Sequence, residues 1–152
     1  MSKPTRGYAQ FVEIKRPASR VFSAFTDAGW LERWYAAEAA VDPRKGGTLR
    51  VKLRDGSVRD AIIDVYEQDR RLRLIYMPDS TLPAVPPGGG PIVEDVLFDL
   101  KPGRTVVRVL GAGVPGEREW DAYFGWLRKG WTYWLHALKR SIESDQPPAA
   151  GA

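Results

Sequence analysis

Apolar residues recur at helical spacing near the carboxyl end of the chain. Between Glu117 and Ile142 they follow one another mostly at steps of three or four residues, which places them on one face of a helix. The stripe consists of Trp120, Phe124, Leu127, Trp131, Trp134, Leu135, Leu138 and Ile142. Burying one large side chain of this kind contributes roughly 1.5–3 kcal/mol, which an isolated helix in water cannot gain. The stripe therefore predicts a long helix that lies against a broad apolar surface.

Much of the preceding chain alternates between apolar and polar positions, as strands with one buried and one exposed face do. Two short helical patterns, at 21–25 and 30–34, interrupt this alternation after the first strand. The predicted strands are 8–15, 36–41, 48–54, 57–67, 70–77, 92–101 and 104–110. We therefore predict an α+β fold in which a curved antiparallel sheet of about six to seven strands wraps around the long C-terminal helix.

Glycine and proline mark the connections. Asp55-Gly56 is a strong hairpin signal, and Pro102-Gly103 predicts a second tight turn. Segment 111–116 is expected to be a loop. Pro78–Pro91 contains five prolines and three consecutive glycines, which exclude a regular element. The segment is then either a long surface loop without a role, which is the favoured alternative, or a mobile lid. Residues 1–145 are expected to form a single domain and 146–152 a disordered tail.

Composition narrows the possible functions. The chain of 152 residues has a net charge of +4, and its lysines and arginines are spread along the sequence, so nucleic-acid binding is not expected. It contains no cysteine and a single histidine, which excludes thiol chemistry and histidine-rich metal sites. There is no apolar run of the ~20 residues that span a bilayer, and no secretory signal is evident. We expect a cytoplasmic protein without a membrane span.

Several short motifs occur at the spacing of a known family. Segment 14–27 joins a strand residue and a proline to Val-Phe and Thr-Asp, and Trp30–Trp34 follows as a second short helix that ends in tryptophan. A glycine pair follows at Gly46-Gly47, and Gly130-Trp131 lies in the predicted last helix. In this order the chain resembles the START-like (SRPBCC) superfamily, and within it the single-domain bacterial homologues of the activator of heat-shock protein 90 ATPase.

The resemblance implies the helix-grip fold and a gap between the long helix and the concave sheet face. Relatives bind lipids, hormones and polyketides in that gap, so we expect a small lipophilic molecule as partner and no cofactor. The resemblance leaves a homodimer open. Aromatic and charged residues that could line such a gap are the candidate ligand-binding residues: Trp34, Arg59, Tyr76, Glu94, Tyr123, Trp126 and Tyr133.

The charged candidates share strand parity with apolar residues. Arg59 has the parity of Ala61, and Glu94 has that of Val96, so both can point inward and form a pair; the alternative places both at the wet margin of the sheet. Tyr66 is expected on the wet face. His136 lies off the apolar stripe and is expected at the rim or in solvent.

Three functions remain open at this stage. The first is a binding module that holds a small hydrophobic or amphipathic ligand beneath the last helix. The second is a cyclase- or hydrolase-like enzyme that uses the same cavity. The third is a protein-interaction domain that modulates a chaperone or another partner. No catalytic or metal-binding residue is predicted.

Overall fold

A computed structural model describes residues 4–77, 82–86 and 89–145 of the chain. The predicted tail, 146–152, and parts of the proline-rich segment, 78–81 and 87–88, lie outside these ranges. The elements in chain order are β1 (Thr5–Ile14), α1 (Ala18–Thr26), α2 (Ala28–Trp34), β2 (Glu38–Val41), β3 (Thr48–Lys52), β4 (Val58–Glu67), β5 (Arg71–Tyr76), β6 (Ile92–Lys101), β7 (Arg104–Pro115), a short 3-10 helix (Arg118–Trp120) and α3 (Asp121–Ser144).

The strands form one antiparallel sheet of seven, in the order β1-β7-β6-β5-β4-β3-β2. All strands after β2 are joined to their neighbours in sequence. The helices α1 and α2 carry the chain from one edge strand, β1, to the opposite edge, β2. Because the sheet curves around α3, the predicted α+β helix-grip fold is confirmed.

Asp27 separates the two short helices and serves both. Its backbone N–H donates to the Ser23 carbonyl at the end of α1, and its side chain accepts a hydrogen bond from the Trp30 backbone N–H at 3.0 Å. A carboxylate at this position satisfies one of the free N–H groups at the start of a helix. Asp27 therefore ends α1 and begins α2 without further linking residues.

The apolar stripe of α3 faces the sheet, as predicted. Leu127, Trp131, Leu135, Leu138 and Ile142 are all buried in the main core. The helix packs mainly against β1 and also contacts α1 and α2. The prediction differs from the structure at its first member, since Trp120 is buried at the end of the 3-10 helix that precedes α3.

Segment 111–116 was expected to be a loop, and that expectation is wrong for most of its length. Strand β7 continues to Pro115, because Gly111 pairs with Tyr8 of β1 and Ala112 pairs with Val93 of β6. The missing side chain at Gly111 has a steric reason, since an added Cβ would lie 2.0 Å from the Tyr8 ring. Because residues 111–113 are glycine or alanine, the alternation of apolar and polar side chains that marks a strand is not visible there.

Tyr66 lies on the inner face, not on the expected wet face. The register of β4 against β5 shifts between Ile63 and Val65, so Asp64 is an extra residue that reverses the side-chain parity beyond it. Tyr66 consequently packs against the core, with its ring 5.3 Å from that of Phe22.

Candidate functional site

A buried carboxylate lies at the centre of the inner sheet face. Glu94 is fully buried and accepts hydrogen bonds from four side chains. Tyr76 donates to Oε1 at 2.7 Å, and the Trp131 indole N–H donates to Oε2 at 2.7 Å. The Tyr8 hydroxyl also donates to Oε2. The fourth partner, Arg59, donates from Nη2 to Oε2 at 3.0 Å and from Nη1 to Oε1 at 3.3 Å. Strands β1, β4, β5 and β6 thus meet α3 at one carboxylate.

Arg59 is buried with Glu94, so the wet-margin alternative for the two residues is wrong. Its Nη1 also donates to the Tyr35 hydroxyl at 2.7 Å, and its guanidinium carbon lies 4.0 Å from the centre of the Tyr76 ring. A cation held over an aromatic ring is stabilised by the ring quadrupole. The arginine is therefore held by a carboxylate, a hydroxyl and an aromatic face at once.

The surroundings fix the protonation states of this cluster. Burial alone would raise the pKa of Glu94, but the Arg59 charge and hydrogen bonds from Arg59, Tyr8 and Tyr76 outweigh it, and the pKa is lowered. Burial, reinforced by the nearby carboxylate, raises the pKa of Tyr8 and Tyr76, and burial raises the pKa of Tyr35 to about 12. Glu94 is thus ionised near neutral pH, and the phenols keep their protons and donate them in hydrogen bonds.

A cavity of about 860 Å³ adjoins this cluster. It lies where β4 and β6 begin, where β5 and β7 end, and where the chain enters α3. Arg59 and Tyr76 line it, and Ser57 and Asp60 lie along the same wall. Its apolar lining includes Val58, Met77, Leu82, Val85, Ile92 and Trp120. The structure thus combines a mainly apolar pocket with a few polar groups, the usual composition of a small-molecule site.

The seven candidate ligand-binding residues divide into three groups. Arg59, Tyr76 and Tyr123 line the cavity. Glu94 is hydrogen-bonded to two of them, and the Trp126 ring stacks on Tyr123 with 5.6 Å between ring centres. These five residues line the cavity or are in direct contact with a residue that does.

The other two candidates lie elsewhere. Trp34 is buried in the core, where its indole N–H donates to the Ala24 carbonyl at 2.8 Å and its ring stacks on Tyr35. Tyr133 is 60% exposed and does not line the cavity. Neither Trp34 nor Tyr133 therefore belongs to the lining of the cavity.

Comparison with known proteins identifies the family. The sequence model of the family described as "Activator of Hsp90 ATPase homolog 1-like protein" matches residues 15–143. The chain belongs to this family. A comparison with curated proteins found no significant match.

Several solved structures share the fold of this chain. A protein of Mesorhizobium loti is 17% identical with a TM-score of 0.77, and the match covers 93% of this chain and 100% of that one. The Aha1 dimer of Colwellia psychrerythraea is 14% identical with a TM-score of 0.78, covering 93% and 99%. An HSP90 activator from Plasmodium falciparum is 18% identical with a TM-score of 0.71, covering 90% and 95%. At these identities the likeness shows the shared fold.

Three members of the cluster were not among the candidate ligand-binding residues: Tyr8, Tyr35 and Trp131. Tyr8 shares parity with Val12 and Ile14, so its inward orientation could have been read from β1, although its partner could not. Tyr35 directly follows α2, and no pattern in the sequence marks it. Trp131 was predicted as core, which is correct, but its indole N–H also binds Glu94.

Other chemistry finds little support around this site. His136 is exposed on α3, with Nδ1 3.2 Å from the Thr132 carbonyl oxygen. Across residues 4–77, 82–86 and 89–145, no group of histidine, aspartate and glutamate side chains could hold a metal ion. No helix within the same ranges is long and apolar enough to cross a membrane.

Proposed function

We propose that this protein binds a small hydrophobic or amphipathic molecule in the cavity beside the start of α3. The observation that carries the proposal is the cavity itself. Its volume of about 860 Å³ falls inside the range of roughly 300–1,000 Å³ that is typical of small-molecule pockets. The apolar part of the ligand would lie against Leu82, Val85 and Ile92, with its polar part toward Arg59 and Tyr76.

The Arg59–Glu94 cluster favours binding over acid–base catalysis. A general base needs a free lone pair and a pKa near the working pH. Both Glu94 oxygens already accept hydrogen bonds, and the low pKa of this carboxylate makes it a poor proton acceptor. A cyclase- or hydrolase-like reaction therefore could not use Glu94 as its general base.

A neutral fluorescent lipophile tests the proposal. N-phenyl-1-naphthylamine becomes brighter when it enters an apolar site, so titration of the wild-type protein should give saturable one-site binding. Ser57→Trp places a large ring in the cavity wall and should weaken binding at least tenfold. A saturating ligand also stabilises the fold, by about 2.7 kcal/mol at 100 times its Kd.

The matched control lies in a second concavity, of about 810 Å³, which Pro17, Ser19 and Arg70 help to line. Ser19→Trp makes the same change there and should leave the affinity for the probe unchanged. The proposal fails if wild type does not bind the probe, or if Ser19→Trp weakens binding as much as Ser57→Trp.

A second candidate function is interaction with another protein through the outer face of the sheet. Ile62 is 37% exposed there and pairs with Ile75, which in turn pairs with Val93, so three apolar side chains form a row across β4, β5 and β6. We propose a second copy of the chain as occupant, because the Colwellia relative is described as a dimer. Sedimentation should then show a concentration-dependent dimer that Ile75→Lys abolishes, while a monomer at every concentration would contradict this.

A further inference from the structure

Two buried N–H groups beside the cavity have no acceptor. Arg59 Nε and the Trp120 indole nitrogen are both inaccessible to bulk water, and neither finds a hydrogen-bond partner in the part of the chain that the structure describes. Both residues line the cavity, Arg59 from β4 and Trp120 from the 3-10 helix. Buried donors without a partner are uncommon in folded proteins, so each calls for a physical explanation.

The neighbouring cluster cannot supply the missing acceptors. The Glu94 carboxylate already accepts five hydrogen bonds, from Tyr8, Tyr76, Trp131 and twice from Arg59. The Tyr8 and Tyr76 hydroxyl protons are directed at that carboxylate. No oxygen of the cluster accepts a hydrogen bond from either N–H group, and the cavity that both residues line is where a ligand atom can supply an acceptor.

We propose that the molecule held in this cavity carries an uncharged hydrogen-bond acceptor, such as a carbonyl oxygen, on an otherwise apolar framework. This inference rests on the proposed binding function and specifies its ligand class. A water molecule could occupy the same place in the empty protein. An apolar ligand that displaced it without replacing its hydrogen bonds would bind less tightly, so the preference for an acceptor holds in either case.

The charges around the cavity favour a neutral acceptor over a carboxylate. The Arg59 charge is already matched by Glu94, 3.0 Å away. At the mouth, Arg50 and Asp60 are cross-strand partners of opposite charge, so their fields largely cancel. An anionic ligand would lose its hydration and would meet no unmatched cation inside the site.

Three probes of nearly equal size separate these ligand classes: benzophenone, diphenylmethane and diphenylacetate. They carry a neutral carbonyl, no acceptor and a carboxylate, respectively. Affinities for the wild-type protein can be measured by quenching of tryptophan fluorescence or by calorimetry. We expect benzophenone to bind about 5- to 10-fold more tightly than diphenylmethane, the effect of one added hydrogen bond, and diphenylacetate to bind most weakly.

The outcomes distinguish this inference from the function on which it rests. Equal affinity for benzophenone and diphenylmethane, or tightest binding of diphenylacetate, would overturn the inference and leave the binding function standing. Binding of none of the three probes would count against both.

A pair of variants tests the donor itself. Trp120→Phe removes one N–H and should reduce the preference for benzophenone over diphenylmethane, whereas Trp30→Phe, remote from the cavity lining, should retain it. An unchanged preference in a folded Trp120→Phe protein would overturn the role of that donor. If Trp120→Phe does not fold, the comparison of the three probes on wild type still decides the inference.

Discussion

Glu94 connects more of the structure than any other side chain in the cluster. It lies on β6, yet its hydrogen bonds reach Tyr8 on β1, Arg59 on β4, Tyr76 on β5 and Trp131 on α3. A buried ion pair often adds little net stability compared with apolar residues of the same size. Removing one member of such a pair is costly, because the other charge is left buried without compensation. Substitution of Glu94 should therefore affect the whole fold.

The first prediction concerns the charge of Glu94. Glu94→Gln keeps the shape of the side chain but leaves the Arg59 charge unmatched, so the free energy of unfolding should fall by about 3–5 kcal/mol. Urea denaturation measures the change. The control is Asp99→Asn, which breaks the half-exposed pair with Arg108 and should cost no more than about 1 kcal/mol. Similar losses in both variants would contradict a special role for the buried pair.

The second prediction concerns pH. The folded pKa of Glu94 lies below its ordinary value of 4.5. Its ionised form thus contributes stability above pH 4.5, and this contribution is lost as the pH falls from 4.5 toward the lower folded pKa, because the unfolded chain then binds a proton that the folded chain does not. The difference in unfolding free energy between wild type and Glu94→Gln should shrink over that range. A difference that stays constant or grows on acidification would show that the sign is wrong.

Strand parity indicates that Glu94 and Arg59 can point inward, and that was visible in the sequence. The pairing could not be decided there, because β4 and β6 are separated by β5 and the distance between them depends on how strongly the sheet curves. Tyr35 was missed for a different reason. It follows the last residue of α2, where neither helical nor strand periodicity applies, and only the tertiary structure brings its hydroxyl to Arg59 on β4.

At the scale of elements, α3 combines two kinds of glycine. Gly125 and Gly130 both lie inside the helix, where glycine costs roughly 0.5–1 kcal/mol relative to alanine. An added Cβ at Gly125 would meet nothing within 4 Å, whereas at Gly130 it would lie 2.6 Å from the Trp134 ring. Trp134 is itself fixed by close ring contacts with Tyr35, Trp126 and Trp131. Gly130 is therefore required by packing, and Gly125 is not.

The third prediction is that alanine has opposite effects at these two glycines. Gly125→Ala should stabilise the protein by about 0.5–1 kcal/mol through helix propensity alone. Gly130→Ala should destabilise it by about 1–3 kcal/mol, because the Trp134 ring must move within a packed aromatic cluster. Thermal unfolding followed by circular dichroism measures both. Stabilisation by Gly130→Ala would mean that the ring yields easily and that α3 is held less tightly than its contacts indicate.

The elements themselves were largely predictable, because α3 and most strands carry clear periodicity. The errors occurred where the backbone departs from regular pairing. The extra residue in β4, Asp64, reverses parity at Tyr66 without any glycine or proline to signal it. The end of β7 was missed because Gly111, Ala112 and Gly113 have small side chains, which show no alternation even though Gly111 and Ala112 are paired.

At the scale of the whole molecule, the sheet and α3 enclose space unevenly. The middle of their interface is filled by Trp34, Tyr35, Trp131 and Trp134, whose rings contact one another. The open volume lies at the end where α3 begins. The family resemblance implies a gap between helix and sheet but not its position, since that depends on how far the aromatic side chains fill the interface.

The central claim is that a small amphipathic molecule binds at this end of the molecule, and chemical-shift mapping tests it most directly. Amide spectra of the ¹⁵N-labelled protein would be recorded during titration with N-phenyl-1-naphthylamine. Binding in the cavity should give the largest shifts at Val58, Arg59, Tyr76, Ile92 and Tyr123. Shifts confined to the outer face near Ile62 and Val93, or to the concavity near Ser19, would contradict it.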